Sequence, residues 1–474
     1  MDDPNLPGGA LNAAFARIHA ASRAEPYPSW DLRRDRLRRL DALVRRHEKR
    51  IIDAIDADFG HRPAAETQTL ELLPVREALR HALRRGAGWM RPRRAAVSML
   101  FWPARARLWP QPLGVVGIVA PWNYPLHLSA LPLVAAFAAG NRALLKLSEF
   151  SPRFGACFAD LARGEFDSSE LSVFHGDAAE AAAFVSLPFD HLLFTGSASV
   201  GRRVMAAASA HLVPVTLELG GKSPAVVTEG YDLEHAAMRI VHGKLLNAGQ
   251  TCVAPDYVLL PRAALEPFAQ ACARAARQLH PDGLDSADYC SIVDARQYAR
   301  QCALLDEAGH AGVALHPLFA GAQRDAHRHR LAPVLCVEPP PTLALMREEI
   351  FGPLLPLVPY DALDDAIAHI QAGERPLALY WFDDDRARTT ASLRAIHAGG
   401  VTLNDTLLHV GQDTLPFGGV GESGTGAYHG RWGFDRLSHL KPVLAQPRLG
   451  LGALVRPPYR RSFDLLMTLL RRMR

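Results

Sequence analysis

The sequence predicts an α/β fold built on two open parallel sheets, and three observations carry that expectation. From Gly114 onward, short apolar runs bounded by turn residues alternate with helical stretches. This is the pattern of strands buried on both faces and linked by crossover helices. The alternation pauses at the Gly-rich junction Glu218–Ser223 and then resumes. The chain has 474 residues, enough for two domains of ordinary size.

Residues 9–87 read as helices interrupted by Pro26, Pro28 and Pro63. Strands follow at Gly114–Val119, Ala143–Leu147, Leu171–Phe174, Leu192–Thr195 and Val213–Leu217, with helices over 125–139, over 152–163 and from Val200. After Pro224 the pattern gives a strand Ala225–Thr228, a helix to Leu246 and a strand Tyr257–Leu260. Further strands are expected at Leu354–Val358, Leu377–Phe382 and Val401–Asn404. Segment 98–112, rich in Trp, Arg and Pro, reads as a protruding hairpin.

Composition narrows the function classes. Hydrophobic residues make up 49% and charged residues 22%, ordinary for a globular protein that needs neither disulfides nor a structural metal. The net charge is +4, with basic residues crowded into Arg33–Arg50 and Arg456–Arg474. Neither run forms a continuous stripe with a recognisable module, so no nucleic-acid partner is expected. In the first run Leu40, Leu43, Ile51 and Ile55 interleave with the arginines, which gives an amphipathic helix with a solvated basic face. The six cysteines include no CxxC pair; a reducing compartment and no metal site are expected. The start Met1-Asp2-Asp3-Pro4 lacks the basic and apolar runs of a secretory signal, and the apolar stretch Leu128–Ala139 is too short to span a bilayer. The expectation is a cytoplasmic protein without an integral membrane segment.

Two Gly-rich strings imitate phosphate loops. Gly419–Gly424 matches GxGxxG, but no buried strand precedes it and no βαβ unit follows. Gly221-Lys222-Ser223 ends like a P-loop, yet Thr216 stands where that loop needs glycine. A better nucleotide signal is Phe194–Gly201, where Gly196 and Ser197 follow an apolar strand and open a helix. Free N–H groups and the helix dipole there favour an anion; a Gly-Ser cap that merely starts a helix explains the same letters. Lys146 and Glu149, after the strand at Ala143–Leu147, suit the hydroxyls of an adenosine ribose. A surface position explains Lys146 equally well when it is taken alone.

Cys252 lies in Asn247-Ala248-Gly249-Gln250-Thr251-Cys252-Val253-Ala254-Pro255, a loop of small and polar residues just after a helix. Such a loop suits an accessible thiol, whereas the other five cysteines sit mostly in helical or strand patterns. A lone cysteine is usually inert, so its context decides. That context is the Asn247–Cys252 run, Leu217–Pro224, Pro121-Trp122-Asn123-Tyr124-Pro125, Glu348-Glu349-Ile350-Phe351-Gly352-Pro353 and Phe194–Gly201. In their order along the chain the strings resemble the aldehyde dehydrogenase superfamily, from about residue 30 to about 445. Leu415–Gly421, Tyr428-His429-Gly430, Asn404-Asp405 and Cys252–Tyr257 look like its class 3 branch. Phe101–Ala106 with Asn141-Arg142-Ala143 is most similar to the bacterial coniferyl aldehyde dehydrogenase group.

The resemblance implies an aldehyde dehydrogenase-like fold with 1–97 and 113–217 as an NAD(P)-binding domain and 218–410 as the catalytic domain. Segments 98–112 and 411–447 would form a bridging, oligomerising β-element, and 448–474 a tail helix with Phe463, Leu466, Met467 and Leu470 on one side. Cys252 would be the nucleophile, Asn123 an oxyanion donor and Glu218 the general base. Lys146, Glu149, Gly196, Ser197, Gly201, Glu349 and Phe351 would hold the cofactor, with NAD favoured over NADP because Glu149 repels a 2′-phosphate. The implied assembly is a homodimer that exchanges 98–112 and a strand near 439–445. The tail would pack near the substrate entrance or a partner subunit, with membrane-surface binding as the alternative. Two rivals are an enzyme passing the acyl group to coenzyme A, against which Glu218 argues, and a non-enzymatic protein of the same fold.

Overall fold

The computed structural model describes residues 9–448, 455–459 and 461–472. Helices α1 (Gly9–Ala24), α2 (Trp30–Arg46), α3 (Glu48–Phe59), α4 (Ala64–Thr67) and α5 (Leu73–Trp89) come first, and a π turn, Gln68–Leu72, joins α4 to α5. Strands β1 (Arg93–Ala95) and β2 (Arg105–Pro112) follow. The first α/β series is β3 (Val115–Val119), α6 (His127–Ala139), β4 (Arg142–Lys146), α7 (Pro152–Glu165), β5 (Leu171–Phe174), α8 (Ala178–Val185), β6 (His191–Gly196), α9 (Ala198–Ser209) and β7 (Val215–Leu219). The second opens with β8 (Pro224–Val227), α10 (Leu233–Leu245), β9 (Tyr257–Pro261), α11 (Leu265–Leu279) and α12 (Ala295–His310). It goes on through β10 (Ala314–Pro317), β11 (Arg324–Asp325), β12 (Arg330–Leu331), β13 (Val334–Val337), α13 (Ala344–Arg347) and β14 (Leu354–Tyr360). Then come α14 (Leu363–Ala372), β15 (Ala378–Phe382), α15 (Arg386–Ala395) and β16 (Gly400–Leu403). The chain closes with β17 (Gly424–Thr425), α16 (Gly430–Arg436), β18 (Ser438–Ala445) and α17 (Arg461–Arg472).

One sheet runs β17-β7-β6-β3-β4-β5, with only β17 antiparallel. The chain lays down β3, β4 and β5 to one side, then returns past β3 to place β6 and β7 on the other. The order therefore reverses between β3 and β6, and the crevice outside the carboxyl ends there is where open α/β sheets bind ligands. The second sheet runs β10-β13-β14-β9-β8-β15-β16, with only β10 antiparallel. Helix α6 is buried at every position and its residues are apolar on all sides, as a helix must be when a sheet lies on one side and α2 and α5 on the other.

The expected strands appear within a residue or two, and the differences have physical causes. Strand β13 was not anticipated: its four apolar residues lie between Pro333 and the Pro339–Pro341 run, so they read as loop. The third sheet, β1-β2-β18, begins at Arg93 rather than 98, because an arginine-rich segment pairs with Ala106–Leu108. The segment 411–447 does more than bridge. Its β17 extends the first sheet beside Glu218, and its α16 packs on α5 and α6. Glu218 and Leu219 remain in the first sheet, so the crossover falls at Gly220–Ser223. The tail forms α17 over Arg461–Arg472, with Phe463, Leu466 and Met467 half-buried and Leu465 exposed. Residues 449–454 and the Leu470 side chain, also part of that expectation, lie outside the described residues.

Candidate active site

The candidate site lies where the carboxyl ends of the first sheet meet the amino ends of the second. Asn123 follows β3, Lys146 ends β4, Ser197 follows β6, and Glu218 sits in β7. From the other side, Cys252 precedes β9 and the segment with Glu349 and Phe351 precedes β14. One gap thus receives seven of the anticipated residues from six separate elements.

The thiol is presented by an unusual turn. After α10 the backbone is left-handed at Asn247, Ala248 and Gly249, with φ of 52, 51 and 78°. Ordinary side chains pay for such geometry, so it persists only where the surroundings enforce it. Here Asn247 Nδ2 donates to the carbonyls of Asn123 and Gln250, at 3.1 and 3.2 Å. The Gln250 side chain donates to Asn247 O and Ser291 O and accepts from the Val293 N–H. Tyr380 donates its hydroxyl proton to the Val253 carbonyl, and the Tyr124 hydroxyl meets Thr251 Oγ1 at 2.6 Å. The loop is fixed on both sides of Cys252, which itself stays partly exposed.

The electrostatics are those of a resting thiol. Burial pushes the Cys252 thiol up to about 12, and the carboxylates of Glu349 and Glu218 push the same way. Glu218 is 3% exposed and neither of its oxygens has a hydrogen-bond partner. Burial raises its carboxyl well above the usual range, against the opposing pull of Arg436. Both oxygens are free to accept from a thiol or a water. Asn123 is buried and its Nδ2 donates to Gln250 O at 3.2 Å, two residues before Cys252.

The remaining anticipated residues divide into two groups. Glu349 is pushed up to about 8 by burial, with Asp256 adding to the effect, while the Gly221 N–H lowers it. Its Oε1 is buried without a partner, and a Cβ on Gly220 would stand 2.0 Å from its Oε2. Phe351 packs edge-on against Trp122 at 5.5 Å between centroids. At the far end, Lys146 Nζ donates to Leu147 O and Gly176 O, at 2.8 and 2.6 Å, and Glu149 is exposed. Ser197 caps α9 by accepting from the Val200 N–H. Gly196 and Gly201 each have a packing reason, against the Phe194 ring and the Leu219 side chain. The fit to a dinucleotide rests on the reversal between β3 and β6, on α9 opening toward it, and on unpartnered buried atoms at Thr195 Oγ1 and Glu349 Oε1.

Several neighbours escaped sequence reasoning. Arg436, from α16, donates to Thr216 Oγ1 and Val215 O and lies close enough to Glu218 to lower it. Arg62, Glu66 and Glu71 reach under both loops from the N-terminal helices. No local signal marks any of them. Next to Asn123, Trp122 is half-buried. Tyr124 and His127 are tied down by hydrogen bonds, Tyr124 to Thr251 Oγ1 and His127 by Nδ1 to Leu70 O. His409 keeps a buried Nε2 without a partner. Lys222 is structural: it pairs with Asp256 and donates to Leu345 O and Glu348 O.

Two mostly parallel sheets, with a thiol, two carboxyls and an amide between them, define a class, and comparison with known proteins agrees. The chain belongs to the aldehyde dehydrogenase family, whose model matches residues 9–443. It is an oxidoreductase that converts aldehydes to carboxylic acids with a nicotinamide cofactor. Within the family it is 46% identical over 457 residues to a probable coniferyl aldehyde dehydrogenase of Pseudomonas aeruginosa, covering 96% of this chain and 95% of that one. It is 41% identical over 469 residues to a coniferyl aldehyde dehydrogenase of a Pseudomonas species, covering 98% and 97%. A solved Staphylococcus aureus AldH, described in its substrate-bound state, superimposes with a TM-score of 0.92 at 34% identity, covering 97% of this chain and 99% of that one.

Proposed function

We propose that this enzyme oxidises an aromatic aldehyde of the coniferyl type through a thioester on Cys252, with NAD as the preferred cofactor. The observation that carries the reading is the meeting of a partly exposed thiol with two carboxyls that both act on it. Its raised thiol needs a base, and Glu218 offers two unpartnered oxygens. Cys252 Sγ attacks the aldehyde carbon while its proton passes to Glu218. The Asn123 carboxamide and the Cys252 backbone N–H then stabilise the oxyanion, each good donor supplying roughly 3–4 kcal/mol. Bound nicotinamide supplies the hydride acceptor for the collapse to the thioester. Glu218, its first proton released to solvent, next takes a proton from the water that cleaves the thioester, returns it to the departing Cys252 sulfur, and the acid leaves. Medium- and long-chain aliphatic aldehydes are the second substrate class, suggested by the class 3 likeness, and NADP the second cofactor.

The names of the Pseudomonas relatives support the aromatic substrate. NADH release measured over aliphatic, benzylic and cinnamyl aldehydes tests it: coniferyl aldehyde is expected among the best, and a place among the poorest overturns the substrate. Cys252→Ala is expected to abolish NADH release; unchanged release removes the thiol from the mechanism. The free acid is the expected product with or without added coenzyme A, and an acyl-coenzyme A product would favour the rival reaction.

A further inference from the structure

Beneath the loops that hold Asn123 and Cys252 lies a charged cluster that the mechanism does not use. Arg62 and Glu71 pair at 2.8 Å with 0% of either side chain exposed. Arg62 Nη1 also donates to the backbone carbonyl of Asn123 at 3.0 Å, and its guanidinium lies over the rings of Phe59 and Tyr124. The other Glu71 oxygen accepts the N–H groups of Leu126 and His127, at 2.7 and 3.1 Å. The segment from β3 to α6 is therefore gripped at Asn123 and again three residues later. Glu71 sits within the π turn Gln68–Leu72, an insertion that re-aims side chains and is frequent at functional sites. Glu66, earlier in the same helical stretch, accepts the N–H of Asn247 at 3.1 Å. Asn247 in turn donates from Nδ2 to the same Asn123 carbonyl.

A buried ion pair is a weak device for stability, because well-packed apolar residues of similar volume serve as well or better. This one instead holds the Asn123 loop, while Glu66 holds the loop 124 residues on that presents Cys252, and the reaction depends on the relative placement of the two. We propose that Arg62, Glu66 and Glu71 form a positioning unit that sets the Asn123 carboxamide against the Cys252 thiol. Arg62 and Glu71 hold the main chain around Asn123, and Glu66 holds the left-handed turn that presents Cys252. None of the three touches the reacting atoms; each acts through the backbone of a loop that does. The inference rests on the reading of Asn123 as oxyanion donor.

The test is a double-mutant cycle on the full-length enzyme, with kcat, aldehyde KM, NADH binding by fluorescence and thermal melting read for every variant. Arg62→Met and Glu66→Ala are each made alone and together with Asn123→Ala. Alone, each is expected to lower kcat about 10²-fold, the cost of misplacing a reacting group by roughly 1 Å, with NADH binding within about twofold of the parent. In the Asn123→Ala background the further loss is expected to shrink to about twofold, near the scatter of independent sites. Two results overturn the proposal: single variants within about twofold of the parent, or losses equally large with and without Asn123. Should Arg62→Met fail to melt cooperatively, Glu66→Ala decides by the same criteria. If Asn123→Ala alone keeps the parental kcat, the oxyanion reading itself fails and this inference falls with it; an impaired Asn123→Ala with additive losses sinks only the positioning unit.

Discussion

Burial disfavours the charged forms of both Cys252 and Glu218, and the Glu218 charge adds to the effect on the thiol. The thiol is raised to about 12 and the carboxyl well above its usual range. Thiolate therefore forms sparingly in the free enzyme near neutral pH and grows with alkalinity. Iodoacetamide should label Cys252 with a rate that rises about tenfold per pH unit between pH ~7 and ~9; a plateau below pH ~8 would contradict the raised thiol. Glu218→Gln keeps the shape of the side chain but removes the base. The first burst of NADH should slow and steady turnover should fall by about 10²–10⁴-fold, because both the thiol and the hydrolytic water then lack their base. An unchanged steady rate would release Glu218 from that role. Glu149 is exposed three residues beyond Lys146, and the proposed NAD preference assigns it the repulsion of a 2′-phosphate. Glu149→Gln should narrow the NAD preference, read as the ratio of kcat/KM for the two cofactors, and a ratio that does not move would assign the preference elsewhere.

The turn from Asn247 to Gly249 shows why local rules and the native backbone part company at a site. Two non-glycine residues in succession adopt left-handed angles there, and side-chain amides from Asn247 and Gln250 hold them. At Gly249, φ is 78° and a Cβ would stand 2.2 Å from the carbonyl of Gly352. Gly249→Ala should lose at least roughly 1–3 kcal/mol of stability from backbone strain, measured by urea unfolding. It should also depress kcat, since Gly352 adjoins Phe351. A variant as stable as the parent would show that this turn is not enforced. The string Gly419–Gly424 and the Gly418 before it have a similar packing explanation: Cβ atoms on Gly418, Gly419 and Gly424 would each come within 2.3 Å of a backbone atom. Those glycines allow β17 to lie against β7 beside Glu218.

Among the described residues, the sheet β1-β2-β18 leaves large apolar side chains exposed. Trp109 is 43% exposed and its strand neighbour Leu444 is 55% exposed. Cross-strand register puts them on opposite faces, Trp109 opposite Lys441 and Leu444 opposite Ala106. A three-stranded sheet with apolar residues on both faces is unstable and adhesive on its own, which favours the homodimer. Sedimentation should give about twice the chain mass of 51.7 kDa, and Trp109→Asp with Leu444→Asp should shift it toward the monomer. A parent that sediments as a monomer at micromolar concentration would rule the dimer out. Among the described residues no helix is long and apolar enough to cross a membrane.

The sequence by itself determined the alternation of strands and helices, the junction at 218–223, and the strings that carry Cys252, Glu218 and Asn123. Buried parallel strands and the loops at their ends have strong local signatures, because both faces of each strand must be apolar. What it did not show was the company those residues keep. Arg62, Glu66, Glu71 and Arg436 look like surface charges in their own segments, since local spacing says nothing about a partner 55 to 220 residues away. Strand β13 was lost between prolines because parallel pairing to β14, and no local preference, makes it a strand. The raised Cys252 and Glu218 likewise arise only when two sheets close over them and remove water. Chemistry-bearing residue types were local information; the burial that tunes them was decided by tertiary packing.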